Sequence, residues 1–277
     1  MTNTDQIATW AGPMGQTWAA LHEQLDRQVE PPGRAALELA APARGERVLD
    51  VGCGPGATTL EIARAVGPGG GVVGVDVAPM LLDIARRRAE GLGNVAFIEA
   101  DAQTHAFAPG GLDLVFSRFG VMFFDDPTAA FANLRRACRP GGRLAFVCWR
   151  APADNPLFRL GGMVAAELFP DRPAPAPDAP GPFAFADAER VRRILADSGW
   201  RDMRIEPLDV EIGGASLDDS VAMMTRAGPL GAALRETDAS DELRRRAADR
   251  LRPLLEPYGG RDGVRMPAAC WLVAANA

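Results

Sequence analysis

The 277-residue chain contains no lysine: all 30 of its basic residues are arginine, against 36 acids, for a formal charge of −6. That absence excludes a lysine Schiff base, a P-loop lysine and a lysine general base. Two histidines, His22 and His105, and one tyrosine, Tyr258, leave little material for a histidine triad. The acidic balance lacks the clustered positive charge that displaces counterions from a polyanion, so no nucleic-acid partner is expected. Four cysteines (Cys53, Cys138, Cys148 and Cys270) are scattered without C-x-x-C spacing. This argues against a zinc site or a disulfide framework and for reduced thiols. No run approaches the ~18 apolar residues of a membrane span, and the segment from Met1 to Gly12 lacks the basic flank and apolar stretch of a signal peptide. The expectation is a cytoplasmic, soluble chain with no membrane partner and no metal.

What is present is a rhythm. From about residue 46 to 150, short apolar runs alternate with helical periodicity, the pattern of βαβ units on a parallel sheet. The strands are expected at Arg47–Val51, Gly71–Asp76, Val95–Glu99, Leu112–Ser117 and Arg143–Trp149. Helices are expected from Ala57 to Val66, from Pro79 to near Gly91, and after the N-cap Asp126 with Pro127 behind it. Arg139-Pro140-Gly141-Gly142 then breaks the chain before the fifth strand. Beyond Trp149 the rhythm changes. Residues 170–182 hold six prolines and read as a surface loop. A helix capped by Asp187 follows, then strands at Met203–Ile212 and Met266–Ala275. Between those strands lie helical segments, one capped by Ser240, that interrupt a hairpin-like pair and so must cover something.

The segment Asp50-Val51-Gly52-Cys53-Gly54-Pro55-Gly56 joins a buried strand to a helix through three alternating glycines. Such a turn needs backbone angles that other residues resist and lets a ligand approach the main chain. Asp76 ends the second strand 20 residues past the last glycine, where an acid can hold both hydroxyls of a ribose. It can also cap the helix that starts at Pro79. The run Gly52-x-Gly54-x-x-Ala57 satisfies the loose dinucleotide fingerprint, which keeps an NAD(P)-dependent oxidoreductase open.

The pattern Asp50-x-Gly52-x-Gly54-x-Gly56 more closely resembles the first motif of class I S-adenosylmethionine-dependent methyltransferases. Ile98-Glu99-Ala100-Asp101-Ala102-Gln103 is similar to that family's adenine segment. Leu112 to Phe124 is similar to the fourth-strand segment of the ubiquinone/menaquinone-biosynthesis-like group of small-molecule methyltransferases, and Arg139 to Leu144 resembles its approach to the fifth strand. The resemblance implies an α/β fold with a Rossmann-like, doubly wound, seven-stranded sheet, mostly parallel with an antiparallel C-terminal strand, and helical cap insertions.

It also implies roles. Gly52, Gly54 and Gly56 would cradle the methionine part of S-adenosyl-L-methionine, with Asp50 reaching its amino group. Asp76 would hold the ribose, and Val77 and Met80 would sandwich the adenine. Asp101, Ala102 and Gln103 would line the adenine edge, and the carbonyl of Ser117 would meet the methionine ammonium. Residues 1–45 would form an N-terminal helical lid, 46–150 the cofactor-binding core, and 151–277 the rest of the same domain, with cap insertions at about 151–186 and 216–256. On the substrate side stand Arg118, Phe119, Met122 and Trp18. Arg118 is a candidate anchor for a carboxylate, or else an ion-pair partner of Asp125 or Asp126. Trp18 with Trp10 either roofs the cofactor or packs a terminal helix. His22 and His105 read as solvated residues, and no side chain is singled out as a general base. The implied function is methyl transfer to an N, O or C nucleophile of a small, largely apolar or aromatic metabolite, by a monomer or homodimer. A non-catalytic S-adenosylmethionine-binding protein on the same fold stays open as an alternative.

Overall fold

The computed structural model of the chain describes residues 3–173, 176 and 178–277. Helices α1 (Asn3–Ala11), α2 (Pro13–Gln28) and α3 (Glu30–Ala40) lead into the first strand. The sheet is built from β1 (Arg47–Val51), β2 (Gly71–Asp76), β3 (Val95–Glu99), β4 (Leu112–Arg118), β5 (Cys138–Trp149), β6 (Arg201–Ala215), the two-residue β7 (Gly259–Gly260) and β8 (Gly263–Asn276). The main strand order is β3-β2-β1-β4-β5-β8-β6, with β7 paired to β8 off that path. The strands from β1 to β5 pair in parallel, while β8 runs antiparallel to both of its neighbours. Seven long strands are therefore joined by an eighth, very short one.

Connecting helices are α4 (Ala57–Val66), α5 (Pro79–Arg88), α6 (Pro127–Ala137), α7 (Pro156–Leu168), α8 (Ala188–Asp197), α9 (Leu217–Met224), α10 (Gly228–Glu236) and α11 (Asp241–Leu255). The reasons for these ends are local. Asp126, Asp187, Ser216 and Ser240 each accept a backbone N–H in the following turn. Helix α3 packs on α4, α6 packs on α8, and the central strands are buried almost end to end, as a parallel sheet covered on both faces requires.

One detail differs from expectation. The Arg139–Gly142 stretch does not break the chain before β5. The strand already begins at Cys138, and its register on β4 shifts between Leu112 and Leu114, so the glycines sit in a bulge. Helix α7 falls within the helical cap insertion expected at about 151–186. The loop expected at 170–182 falls partly outside the described residues, at 174, 175 and 177, and its described part contains neither helix nor strand.

Two apolar cores result. One runs along the sheet, with Leu49, Val115, Phe116, Phe131, Phe146 and Trp200 fully buried. The other lies among α7, α9, α10 and α11, centred on Leu230, Leu234, Leu251 and Leu255. Leu21 and Leu25 of α2 and Val264 and Met266 of β8 join it.

Candidate functional site

A cavity of about 720 Å³ lies over the carboxyl ends of β1, β2 and β4, where open α/β sheets bind ligands. Its size falls within the ~300–1,000 Å³ of small-molecule sites. Its floor is the glycine loop. Gly52 and Gly54 sit at φ +65° and +52°. A Cβ on Gly52 would come within 2.6 Å of the Gly120 main chain, so two glycine turns meet backbone to backbone here. A Cβ on Gly54 would meet nothing within 4 Å, because that residue faces the cavity.

Asp76 holds this loop in place. Its Oδ2 accepts the Gly54 N–H at 2.8 Å, and its Oδ1 accepts the Ala78 N–H at 2.9 Å. Burial pushes its carboxyl above the usual range. Val77 also lines the cavity. Asp101 and Ala102 line the neighbouring wall. The Asp101 carboxylate accepts the Gln103 N–H and the Thr104 hydroxyl, and the Ala102 carbonyl accepts from Asn133.

Five of the expected contacts are not on the cavity wall. Gly56 is a packing glycine: a Cβ there would lie 2.9 Å from the Ala85 side chain on α5. Met80 sits under α2, beside Gly15, and Leu81 takes the wall position next to it. Gln103 turns away to accept the Asp126 N–H at 3.0 Å. Ser117 is fully buried; its Oγ donates to the Val51 carbonyl at 2.7 Å and accepts the Gly120 N–H at 3.1 Å, tying β4 to β1. Asp50 is fully buried behind the loop. Thr58 and Thr59 both donate to its Oδ2, its Oδ1 has no partner among the described residues, and burial raises its carboxyl to about 6.

The opposite wall is apolar. Trp10 and Trp18 meet edge to face at 5.5 Å between ring centres, and Trp10 also meets Phe123. Trp18, Met122 and Phe119 all line the cavity. Phe119 has φ +61° and stacks on Trp149 at 4.3 Å, a strained backbone for a bulky residue of the kind found at binding sites. Phe158, Met223 and Met224 line the cap side, whereas Leu160 and Leu230 are buried in the cap core. Arg118 lines the cavity, but its carboxylate partner is Asp26 at 2.7 Å and not Asp125 or Asp126. Asp26 also pairs with Arg88, which donates to the Pro55 carbonyl. One acid on α2 thereby clamps the N-terminal helices to the glycine loop and to the end of β4. His22 bonds the Ala19 carbonyl, and His105 meets Phe107 edge to face; neither lines the cavity.

Leu81, Phe183, Arg159 and Arg172 line the cavity without having been singled out from the sequence. Leu81 carried a signal, its apolar position one residue past Met80. The others lie in a segment without a readable period.

Residues 48–142 match the family described as the methyltransferase domain. The chain is also 33% identical over 199 residues to the demethylmenaquinone methyltransferase of Thermus thermophilus, with 67% of this chain and 88% of that one covered. The chain belongs to the class I S-adenosylmethionine-dependent methyltransferases. Within that family it is 38% identical over 133 residues to the aklanonic acid methyltransferase DauC of a Streptomyces species, across 47% of this chain and 57% of that protein. The chain spans about half the length of the first curated relatives it matches. A phosphoethanolamine N-methyltransferase of Haemonchus contortus, solved with S-adenosylhomocysteine, shares the fold at TM-score 0.56 and 20% identity, over 89% of this chain and 52% of that one. The site fits the methyltransferase cofactor on its own geometry: a glycine cradle open at Gly54, a carboxylate at the end of β2 and an unpartnered Asp50 oxygen behind the loop. No described helix is long and apolar enough to cross a membrane.

Proposed function

We propose that this chain transfers the methyl group of S-adenosylmethionine to an N, O or C nucleophile of a small, largely apolar or aromatic metabolite. The observation that carries the reading is the continuity of the cavity. One unbroken space runs from the polar glycine loop and Asp76 to the apolar wall of Trp10, Trp18, Phe158 and Met223. When bound, the cofactor would supply a sulfonium-borne methyl group that an acceptor nucleophile takes in line, the thioether sulfur keeping the electron pair of the broken bond.

The chain's own residues divide the work. The main chain at Gly52 and Gly54 holds the methionine part, Asp76 the ribose hydroxyls, Val77 and Leu81 the adenine faces, and Asp101 with Ala102 its edge. Asp50 lies behind the loop and supplies negative charge to the ammonium. Helices α1 and α2, together with the cover formed by 151–186 and 216–256, exclude water and align the acceptor. Asp76 and Asp101, the carboxylates of the described wall, sit at the cofactor end, so positioning carries the rate. A small-molecule acceptor is supported by the relatives' names, which refer to aklanonic acid and demethylmenaquinone.

Calorimetry with S-adenosylmethionine, S-adenosylhomocysteine and NADH, followed by turnover against a panel of apolar and aromatic metabolites, tests the reading. Binding of both adenosyl compounds, no binding of NADH and methylation within the panel are expected. Binding of NADH alone would make the chain an oxidoreductase. Adenosyl binding with no acceptor methylated would make it a binding protein.

A further inference from the structure

Among the described residues, three arginines line the cavity, and their partners differ. Arg118 is neutralised by Asp26, and Arg172 by Glu236 through two contacts at 2.7 and 3.0 Å. Arg159, in the first turn of α7, forms no ion pair among the described residues; its Nη1 lies 3.9 Å from the Met163 sulfur instead. The acids on the described wall, Asp76 and Asp101, stand at the cofactor end. The cap end of the chamber is thus apolar, with one unneutralised cation at its rim. An uncommitted guanidinium beside an apolar chamber has a specific use. It offers a planar fork that matches an oxyanion, and it offsets the cost of drawing a charged ligand out of water.

The surface beside it suits a flat body. Gly162 lies one helical turn beyond Arg159 and also lines the cavity; a Cβ there would meet nothing within 4 Å. The α7 backbone is therefore bare at this point, and the Phe158 and Phe183 rings, 4.9 Å apart edge to face, stand beside it.

We infer that Arg159 reads an oxyanion, such as a carboxylate, on a ring-containing apolar substrate that lies against Gly162 and Phe158. This deepens the methyl-transfer reading and rests on it for the word substrate. It also moves the anionic anchor from Arg118, whose charge is already spent on holding α2 to β4.

Anilinonaphthalene sulfonate, an apolar aromatic anion, and uncharged N-phenylnaphthylamine are suitable fluorescent probes for the full chain loaded with S-adenosylhomocysteine. The wild-type chain should bind the anion more tightly than the neutral ring, and added salt should weaken only the anion. Arg159→Gln should weaken the anion about fivefold, Arg159→Glu further, and Arg159→Lys least, all without moving the neutral probe. Equal loss of both probes in Arg159→Gln, an unchanged anion affinity, or salt-independent binding to the wild type would overturn the inference. The wild-type salt series needs no variant, so a misfolded variant does not protect the idea. Methyl transfer does not enter the readout. Failure of S-adenosylhomocysteine to bind would sink the functional reading instead, and the probe preference would still be judged on the unloaded chain.

Discussion

The two ends of one cavity are built by different physics. At the cofactor end, positions are set by the main chain: Gly52 and Cys53 donate to Val75, Gly54 donates to Asp76, and Ser117 bridges Val51 and Gly120. At the cap end, Met223 and Met224 belong to the second core and Phe158 of α7 packs against the edge of the first, with the Arg172–Glu236 pair as a polar tie across the cover. Directional bonds on a sheet fix a site to fractions of an ångström, which a shared cofactor needs. Methionine and glycine on packed helices leave adaptable surface, which suits a site whose ligand varies.

The largest test of this contrast is Gly54→Val. Its side chain would enter the open space at the loop, and we expect cofactor binding by calorimetry to vanish while far-UV circular dichroism and the apolar probe are kept. Normal binding would reduce the glycine loop to a turn.

Next comes Asp50. Its folded value near 6 lies above its unfolded value of 3.8, so the folded state holds more protons in that interval, and stability falls as pH rises through it. Urea unfolding should show a decline of ~3 kcal/mol across that window in the wild type, missing from Asp50→Asn. An identical slope in the two proteins would remove Asp50 as its source.

Asp76→Ala should weaken S-adenosylmethionine binding by about 1–3 kcal/mol, since it removes both the Gly54 tether and the ribose contact we propose. An unchanged dissociation constant with the fold intact would take Asp76 out of the site.

The smallest effect belongs to Arg172→Gln. The pair is more than a third exposed on the glutamate side, so stability should drop by less than ~1 kcal/mol. Hydrogen exchange should nevertheless speed up in α7 and α10 and stay unchanged in β1 and β4. If α7 and α10 are as protected as those strands in the free wild-type chain, and no change follows binding, the cover does not open.

The parallel half of the sheet was legible because β1 to β4 are short strands ended by glycine, proline or a polar residue, and every βα unit is a local pattern; the order of the strands came from the structure. Gly52, Gly54 and Asp76 could be named because spacing along one chain segment places them at neighbouring strand ends, whereas Val77, Asp101 and Ala102 were named through the family resemblance. Met80 and Leu81 show the limit: they are adjacent residues on one helix, and only the seating of α2 over Gly15 decides which of them faces inward. Gly56 shows another, since its need for a small residue arises from Ala85, 29 positions away. Arg118 shows a third, for its partner Asp26 lies 92 residues upstream and belongs to no motif.

By itself, then, the sequence determined the parallel sheet and the glycine loop, because glycine angles, strand periods and helix caps act over a few residues, and it carried the motifs by which the chain resembles its family. Only the tertiary structure decided which of the cavity's arginines has no carboxylate partner among the described residues and which side chains wall the chamber. Those outcomes depend on helices from both ends of the chain meeting over the sheet, and ion pairing and packing are settled by distance in space, not by separation along the chain.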